Sequence, residues 1–130
     1  MSKIMIVDDE RHIVETLCLA FEKRGYQVVG VSDATLCVPL ADREKPDVII
    51  LDVMMPGMDG YEVLNRLGED DRVSRIPVIV LTAKPDEIYR RISEGIGAKL
   101  HLTKPFKPYA VVEQVERILD ERKGVPTAQP

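Results

Sequence analysis

The 130-residue chain predicts an α/β fold, a single doubly wound sheet of five parallel strands with five helices. Three observations predict it. Strand-like runs near 3–7, 27–31, 48–51, 78–81 and 99–102 alternate with helical segments, the pattern that crossover connections leave in a sequence. The first, third and fourth runs are apolar throughout, as strands covered on both faces are, whereas the second and fifth are mixed and suit the edges. The runs also bring polar residues to one rim. Ile4-Met5-Ile6-Val7 ends in Asp8-Asp9, Val48-Ile49-Ile50-Leu51 in Asp52, Val78-Ile79-Val80-Leu81 in Thr82, and Leu100-His101-Leu102-Thr103 runs into Lys104-Pro105.

Each helix has its own signals. The first is expected from Glu10 or Arg11, with Ile13, Leu17, Ala20 and Phe21 on one face and a stop at Gly25. The second, Ala34–Arg43, contains Pro39, which removes a backbone donor and predicts a kink or a late start. In the third, Asp59 caps the N-terminus with Glu62 three residues later, and Leu64 and Leu67 face the sheet. The fourth, about 86–95, has Ile88 and Ile92 as core positions, with Tyr89 and Ile96 as additions, so little apolar burial anchors it. The last, about 107–122, carries Val111, Val112, Val115, Ile118 and Leu119 on one stripe and closes in Arg122, Lys123 and Gly124. Residues 1–123 are read as one domain, and 124–130, which lack periodicity, as a tail or the start of a linker.

Composition narrows the function classes. Hydrophobic residues make up 45% and charged residues 31%, ordinary for a globular protein, and the length fits one domain with a substantial core. The net charge of -4 argues against direct nucleic-acid binding, which relies on clustered Lys and Arg. Cys18 and Cys37 stand apart, without metal-ligand spacing, and are expected as two buried thiols in a reduced compartment. No signal-peptide core and no membrane-length apolar run occurs, so the chain is read as soluble and cytoplasmic, without a membrane partner.

In an open parallel sheet the binding crevice lies outside the carboxyl ends of the strands, where the strand order reverses. Asp8, Asp9, Asp52, Thr82 and Lys104 would meet there. Crowded carboxylates raise one another's proton affinity unless a cation intervenes, and Mg²⁺ suits an all-oxygen site that keeps waters and admits phosphate oxygens. Three carboxylates, one ammonium and Mg²⁺ nearly balance in formal charge, so a phosphoryl group can be accepted. Attack by an Asp52 oxygen would give an acyl phosphate, with the metal and Lys104 neutralising the equatorial oxygens and Thr82 donating a hydrogen bond. Each residue alone has a plainer explanation: Asp8-Asp9-Glu10 as a helix cap, Asp52 as a turn former, Thr82 as a strand end, Lys104 as a solvated charge. Four such explanations holding together are less probable than one site.

Taken together, Ile6-Val7-Asp8-Asp9-Glu10, Leu51-Asp52-Val53-Met54-Met55-Pro56-Gly57-Met58-Asp59-Gly60, Leu81-Thr82-Ala83 and Leu102-Thr103-Lys104-Pro105-Phe106 resemble the receiver domain of two-component response regulators. The resemblance covers about residues 3–122. It implies the CheY-like, flavodoxin-like strand order 2-1-3-4-5, and Asp52 as acceptor of a phosphoryl group from a sensor histidine kinase or phosphotransfer protein. Asp9, Asp52 and the Met54 carbonyl would bind Mg²⁺, for which Mn²⁺ substitutes, with Asp8 acting through metal-bound water. Thr82 would move toward the phosphoryl group and His101 turn inward, shifting the fourth helix and fifth strand. With the last helix, these would form the face for a downstream effector domain or protein. The Lys104–Pro105 bond is expected to be cis.

Departures from the family pattern also carry expectations. His101 replaces a more usual Tyr or Phe and is either a pH-sensitive element or an ordinary half-buried histidine. His12 is expected at the surface. Lys99 and Leu100 stand where many members carry paired Asp residues, so homodimerisation is not assumed. Met54 and Lys84, two residues after Asp52 and Thr82, lie at positions that govern access of hydrolytic water, and Lys84 is expected to alter acyl phosphate lifetime. An alternative, a Mg²⁺-dependent aspartyl phosphohydrolase, would want a second acid/base Asp where Met54 stands. A third reading is an interaction module that works without phosphorylation.

Overall fold

Alternate residues of a strand face opposite sides of its sheet, and here each side acquires its own helices. The computed structural model describes residues 2–54, 59–83 and 87–122, apart from the side chains of Ile88 and Tyr89. In chain order the elements are β1 (Lys3–Val7), α1 (Arg11–Lys23), β2 (Gln27–Val31), a 3₁₀ turn (Ala34–Leu36), α2 (Cys37–Glu44), β3 (Val48–Leu51), α3 (Gly60–Glu69), β4 (Val78–Thr82), α4 (Glu87–Ile96), β5 (Leu100–Thr103) and α5 (Pro108–Arg122). The strands pair in parallel in the order β2-β1-β3-β4-β5, with the mixed runs at the two edges as expected. Met5, Val7, Ile49, Leu51, Val78 and Val80 pack against α2 and α3. Ile4, Ile6, Val48, Ile50, Ile79 and Leu81 pack against α1 and α5 on the other side.

The predicted boundaries have visible causes. At the end of α1, Gly25 adopts φ 87°, its N–H donates to Glu22 O (3.0 Å), and the Tyr26 N–H donates to Phe21 O (3.1 Å). This is a Schellman closure, completed by edge-to-face packing of Phe21 and Tyr26 at 5.7 Å between ring centres. The second helix starts late. Asp33 Oδ1 accepts from the Thr35 N–H and caps the 3₁₀ turn, and α2 then begins at Cys37. That places Pro39 in the first helical turn, where a backbone donor has no intrahelical acceptor to lose. Asp59 caps α3 through the Tyr61 N–H (3.0 Å) and Glu62 N–H (3.4 Å), while the Glu62 carboxylate pairs with Arg66 one turn on.

Three expectations need correction or limits. Ile92, expected in the core, is 42% exposed, and Ser93 takes the buried position on α4 instead. Cys37 is buried, and burial pushes its thiol up to about 12, but Cys18 is only half-buried on α1. The tail 124–130 and Lys84 lie outside the described residues. Among the described residues, no helix is long and apolar enough to cross a membrane.

Candidate functional site

Parallel register aligns the strand ends, and the ladder continues one residue past each strand. The Asp8 N–H donates to Val31 O (3.0 Å), the Asp52 N–H to Val7 O (2.9 Å), and the Lys104 N–H to Thr82 O (2.7 Å). These bonds bring Asp8, Asp52, Thr82 and Lys104 to the carboxyl rim of β1, β3, β4 and β5. The four lie in different segments of sequence and become neighbours only through the order in which the strands pair. The Lys104–Pro105 peptide is cis, as expected.

Asp8, Asp52 and Thr82 are buried, whereas Asp9 is exposed. An oxygen from each of Asp8, Asp9 and Asp52 lies within 4.8 Å of the others. The Lys104 ammonium stands 3.0 Å from Asp8 Oδ2 and 3.2 Å from Asp52 Oδ2. The second contact is a hydrogen bond. The first is a short ion pair, and it is the one polar contact of the buried Asp8 Oδ2 among the described residues. Asp52 Oδ1 accepts from the Met54 N–H (2.8 Å), and Asp8 Oδ1 from the Glu10 N–H (2.9 Å). Each buried carboxylate therefore has one oxygen fixed by backbone and the other turned toward Lys104.

Burial pushes the Asp8 carboxyl up to about 6, with the Glu10 N–H and Lys104 opposing and the nearby Asp52 charge adding to the rise. For Lys104 burial acts downward, but the Asp8 and Asp52 carboxylates outweigh it and leave the ammonium above its ordinary value. One ammonium thus serves two buried carboxylates and leaves Asp8 short of positive charge. The chemistry of the set fits a hard divalent cation: carboxylate oxygens only, a buried Asp8 oxygen whose one partner is an ammonium shared with Asp52, and one member open to solvent for waters to complete the shell.

The structure also places residues that the sequence weighed differently. His101 is 3% exposed and points to the α4 side of β5, with no hydrogen bond at Nδ1. It is therefore fully rather than half buried. Met54 is 42% exposed beside Asp52, and His12 is at the surface as expected. Glu10, read as part of a helix cap, makes no side-chain capping bond, and its Oε1 stands 3.6 Å from the Lys104 ammonium. Its position directly after the acidic pair was the one available signal of that contact.

Comparison with known proteins points the same way. Residues 4–116 match the family model described as the response regulator receiver domain. The alkaline phosphatase synthesis transcriptional regulatory protein PhoP of Bacillus subtilis is 41% identical over 90% of this chain and 48% of its own length. Protein PilH of Pseudomonas aeruginosa is 35% identical over 92% of this chain and 98% of its own. The chain thus spans about half of the former and nearly all of the latter. Among solved structures, the chemotaxis protein CheY4 of Vibrio cholerae superposes with a TM-score of 0.84 at 28% identity, covering 91% of this chain and 98% of that one.

Proposed function

This chain belongs to the response regulator receiver domain family of two-component systems, and from that premise we propose that Asp52 is its phosphoacceptor. Receiver domains are signalling domains that work with histidine kinases and effector domains. The observation that carries the reading is the Lys104 ammonium held between the buried carboxylates of Asp8 and Asp52, beside the buried Thr82.

In the proposed reaction an Asp52 oxygen attacks the phosphorus of a phosphohistidine on a sensor histidine kinase or phosphotransfer protein. The new O–P bond forms as the N–P bond breaks, and the imidazole nitrogen leaves with its electron pair. Oδ2 is the oxygen that Lys104 contacts, so the ammonium is already beside the charge that develops on the transferred group. Oδ1 stays held by the Met54 N–H and fixes the carboxylate plane. The Thr82 hydroxyl donates to a phosphoryl oxygen from the adjacent strand end. Asp9, Asp52 and the Met54 carbonyl would hold Mg²⁺, or Mn²⁺ in its place, with Asp8 acting through water, and the ion would supply the remaining positive charge.

The output is a changed surface. Movement of Thr82 draws on β4, and β5, whose His101 is already buried, shifts with it, so α4, β5 and α5 form the proposed face for an effector domain or protein. The exposed Ile92 of α4 and Tyr109 of α5 give that face apolar contact groups. We place the receiver unit at residues 1–123 and its action in the cytoplasm, without direct nucleic-acid binding and without an obligatory homodimer.

Intact-mass analysis after incubation with acetyl phosphate and Mg²⁺ tests the reading. A hydroxylamine-labile, phosphate-sized increment is expected in the wild type and not in Asp52→Asn. An increment of equal size in both proteins, or none in the wild type with either acetyl phosphate or a phosphorylated kinase, would overturn it.

A further inference from the structure

On the α2 and α3 side of the sheet a groove of about 850 Å³ opens between the 3₁₀ turn with α2 and the outer face of α3. None of its lining residues belongs to the acidic rim. Its accessible apolar part comes from Val38 and Pro39, over a floor formed by the buried Ala34 and Val63. Leu36, 47% exposed, stands in the same 3₁₀ turn and extends the apolar character beyond the lining.

The charged lining is one-sided: Glu62, Glu69, Asp70 and Asp71 against Arg66 alone. Arg66 is committed to Glu62 at 2.7 Å. Glu69 takes its hydrogen bond from a neutral group, the Asn65 amide (2.6 Å), and Asp71 has no ion pair or side-chain hydrogen bond among the described residues. Glu69, Asp70 and Asp71 also sit at the C-terminus of α3, where the helix dipole is negative and cations are the favoured neighbours. Arg72 compensates Asp70, so Glu69 and Asp71 carry the uncompensated negative charge there.

The two walls are tied together at that end. Arg72 pairs with Asp70 (2.8 Å) beside α3 and with Asp42 (3.0 Å) on α2, and Lys45 pairs with Asp42 from the other side (2.8 Å). The groove is therefore preformed, which lowers the ordering cost of binding. Its negative rim disfavours nucleic acid and anionic membrane alike.

We propose that this groove docks a cationic amphipathic helix of a partner protein, with apolar side chains over Val38 and Pro39 and Lys or Arg side chains against Glu69 and Asp71. Helix-in-groove recognition places anchors at helical spacing in an apolar cleft, and a charged rim sets orientation and partner choice. The proposal does not depend on phosphorylation of Asp52.

The test is titration of the isotopically labelled protein with three synthetic helical peptides of equal length, followed by amide and methyl NMR shifts. One peptide combines Leu and Lys on opposite faces, one Leu and Glu, and one Ser and Lys. Saturable binding of the Leu/Lys peptide is expected, with shifts centred on Thr35, Val38, Val63 and Asp71. The double variant Glu69→Lys/Asp71→Lys, at exposed positions, should bind it at least about tenfold more weakly, and Val38→Glu should weaken it while leaving the circular dichroism unchanged. No saturable binding, equal binding of either control peptide, shifts centred elsewhere, or undiminished binding by the folded variants would each overturn the proposal.

Discussion

At Asp8 a single residue couples folding, pH and metal. Its carboxyl rises from 3.8 to about 6 in the fold because burial disfavours the charge. The native state then binds the proton more tightly than the unfolded chain does. The stability this contributes is fully present below 3.8 and is lost as pH rises through about 6, amounting to about 3 kcal/mol of native-state cost by pH 7. Asp8→Asn keeps the acceptor for the Glu10 N–H and removes the charge. In metal-free urea unfolding at pH 7 the variant should be more stable than wild type by roughly 1–3 kcal/mol, with the difference shrinking toward pH 4, while Mg²⁺ should raise the wild-type midpoint more than the variant's. A second prediction concerns Lys84, which we propose tunes acyl phosphate lifetime from two residues beyond Thr82: phosphorylated wild type and Lys84→Glu should decay at clearly different rates, and matching rates would remove the idea. The rim residues Asp8, Asp52, Thr82 and Lys104 were legible because each ends an apolar run, and the fold class says where such ends meet. The Glu10 contact was not, since it depends on the reach of a lysine far along the chain.

At the scale of elements, α3 is fixed by a near contact of backbones. A Cβ built on Gly60 would fall 2.2 Å from Val53 Cα, so only glycine lets the helix N-terminus approach the residue after Asp52. Gly60→Ala should therefore cost about 2 kcal/mol or more in urea unfolding and reduce phosphorylation of Asp52 by acetyl phosphate even where the protein remains folded. A fully phosphorylated variant of wild-type stability would show that α3 does not depend on this approach. The C-terminus of α1 and the N-terminus of α3 could be read from the sequence because Gly25 and Asp59 have local physical effects. Helix α4 could not be read as well. Ile92 looked like core by its spacing from Ile88 and Ile96, yet a helix rotation sets Ser93 inward, and a polar residue on a buried face gives no hydrophobic signal.

Across the whole molecule, the central strands bind two apolar layers into one structure. Phe21 belongs to the α1 and α5 layer and Leu64 to the α2 and α3 layer, both essentially buried. Phe21→Ala should lower stability by about 3–5 kcal/mol and Leu64→Ala by about 2–5 kcal/mol. Both variants should lose the two layers in one transition, seen as coincident far-ultraviolet and tyrosine-fluorescence curves, because β1, β3 and β4 are shared. The strand order itself was legible only through the combined motifs, since alternation of strands and helices indicates a parallel sheet without saying which strands are neighbours. The groove beside α3 escaped the sequence altogether: Glu69, Asp70 and Asp71 are contiguous, but the facing wall comes from the 3₁₀ turn and α2, which only the fold brings beside them. The central claim, that the rim directs a phosphoryl group to one carboxylate of three, is tested most directly by borohydride reduction after phosphorylation, followed by peptide mapping. The account predicts homoserine at position 52 alone, formed only when phosphodonor and divalent cation are both supplied. Homoserine at position 8 or 9, or at position 52 without phosphodonor, would contradict it.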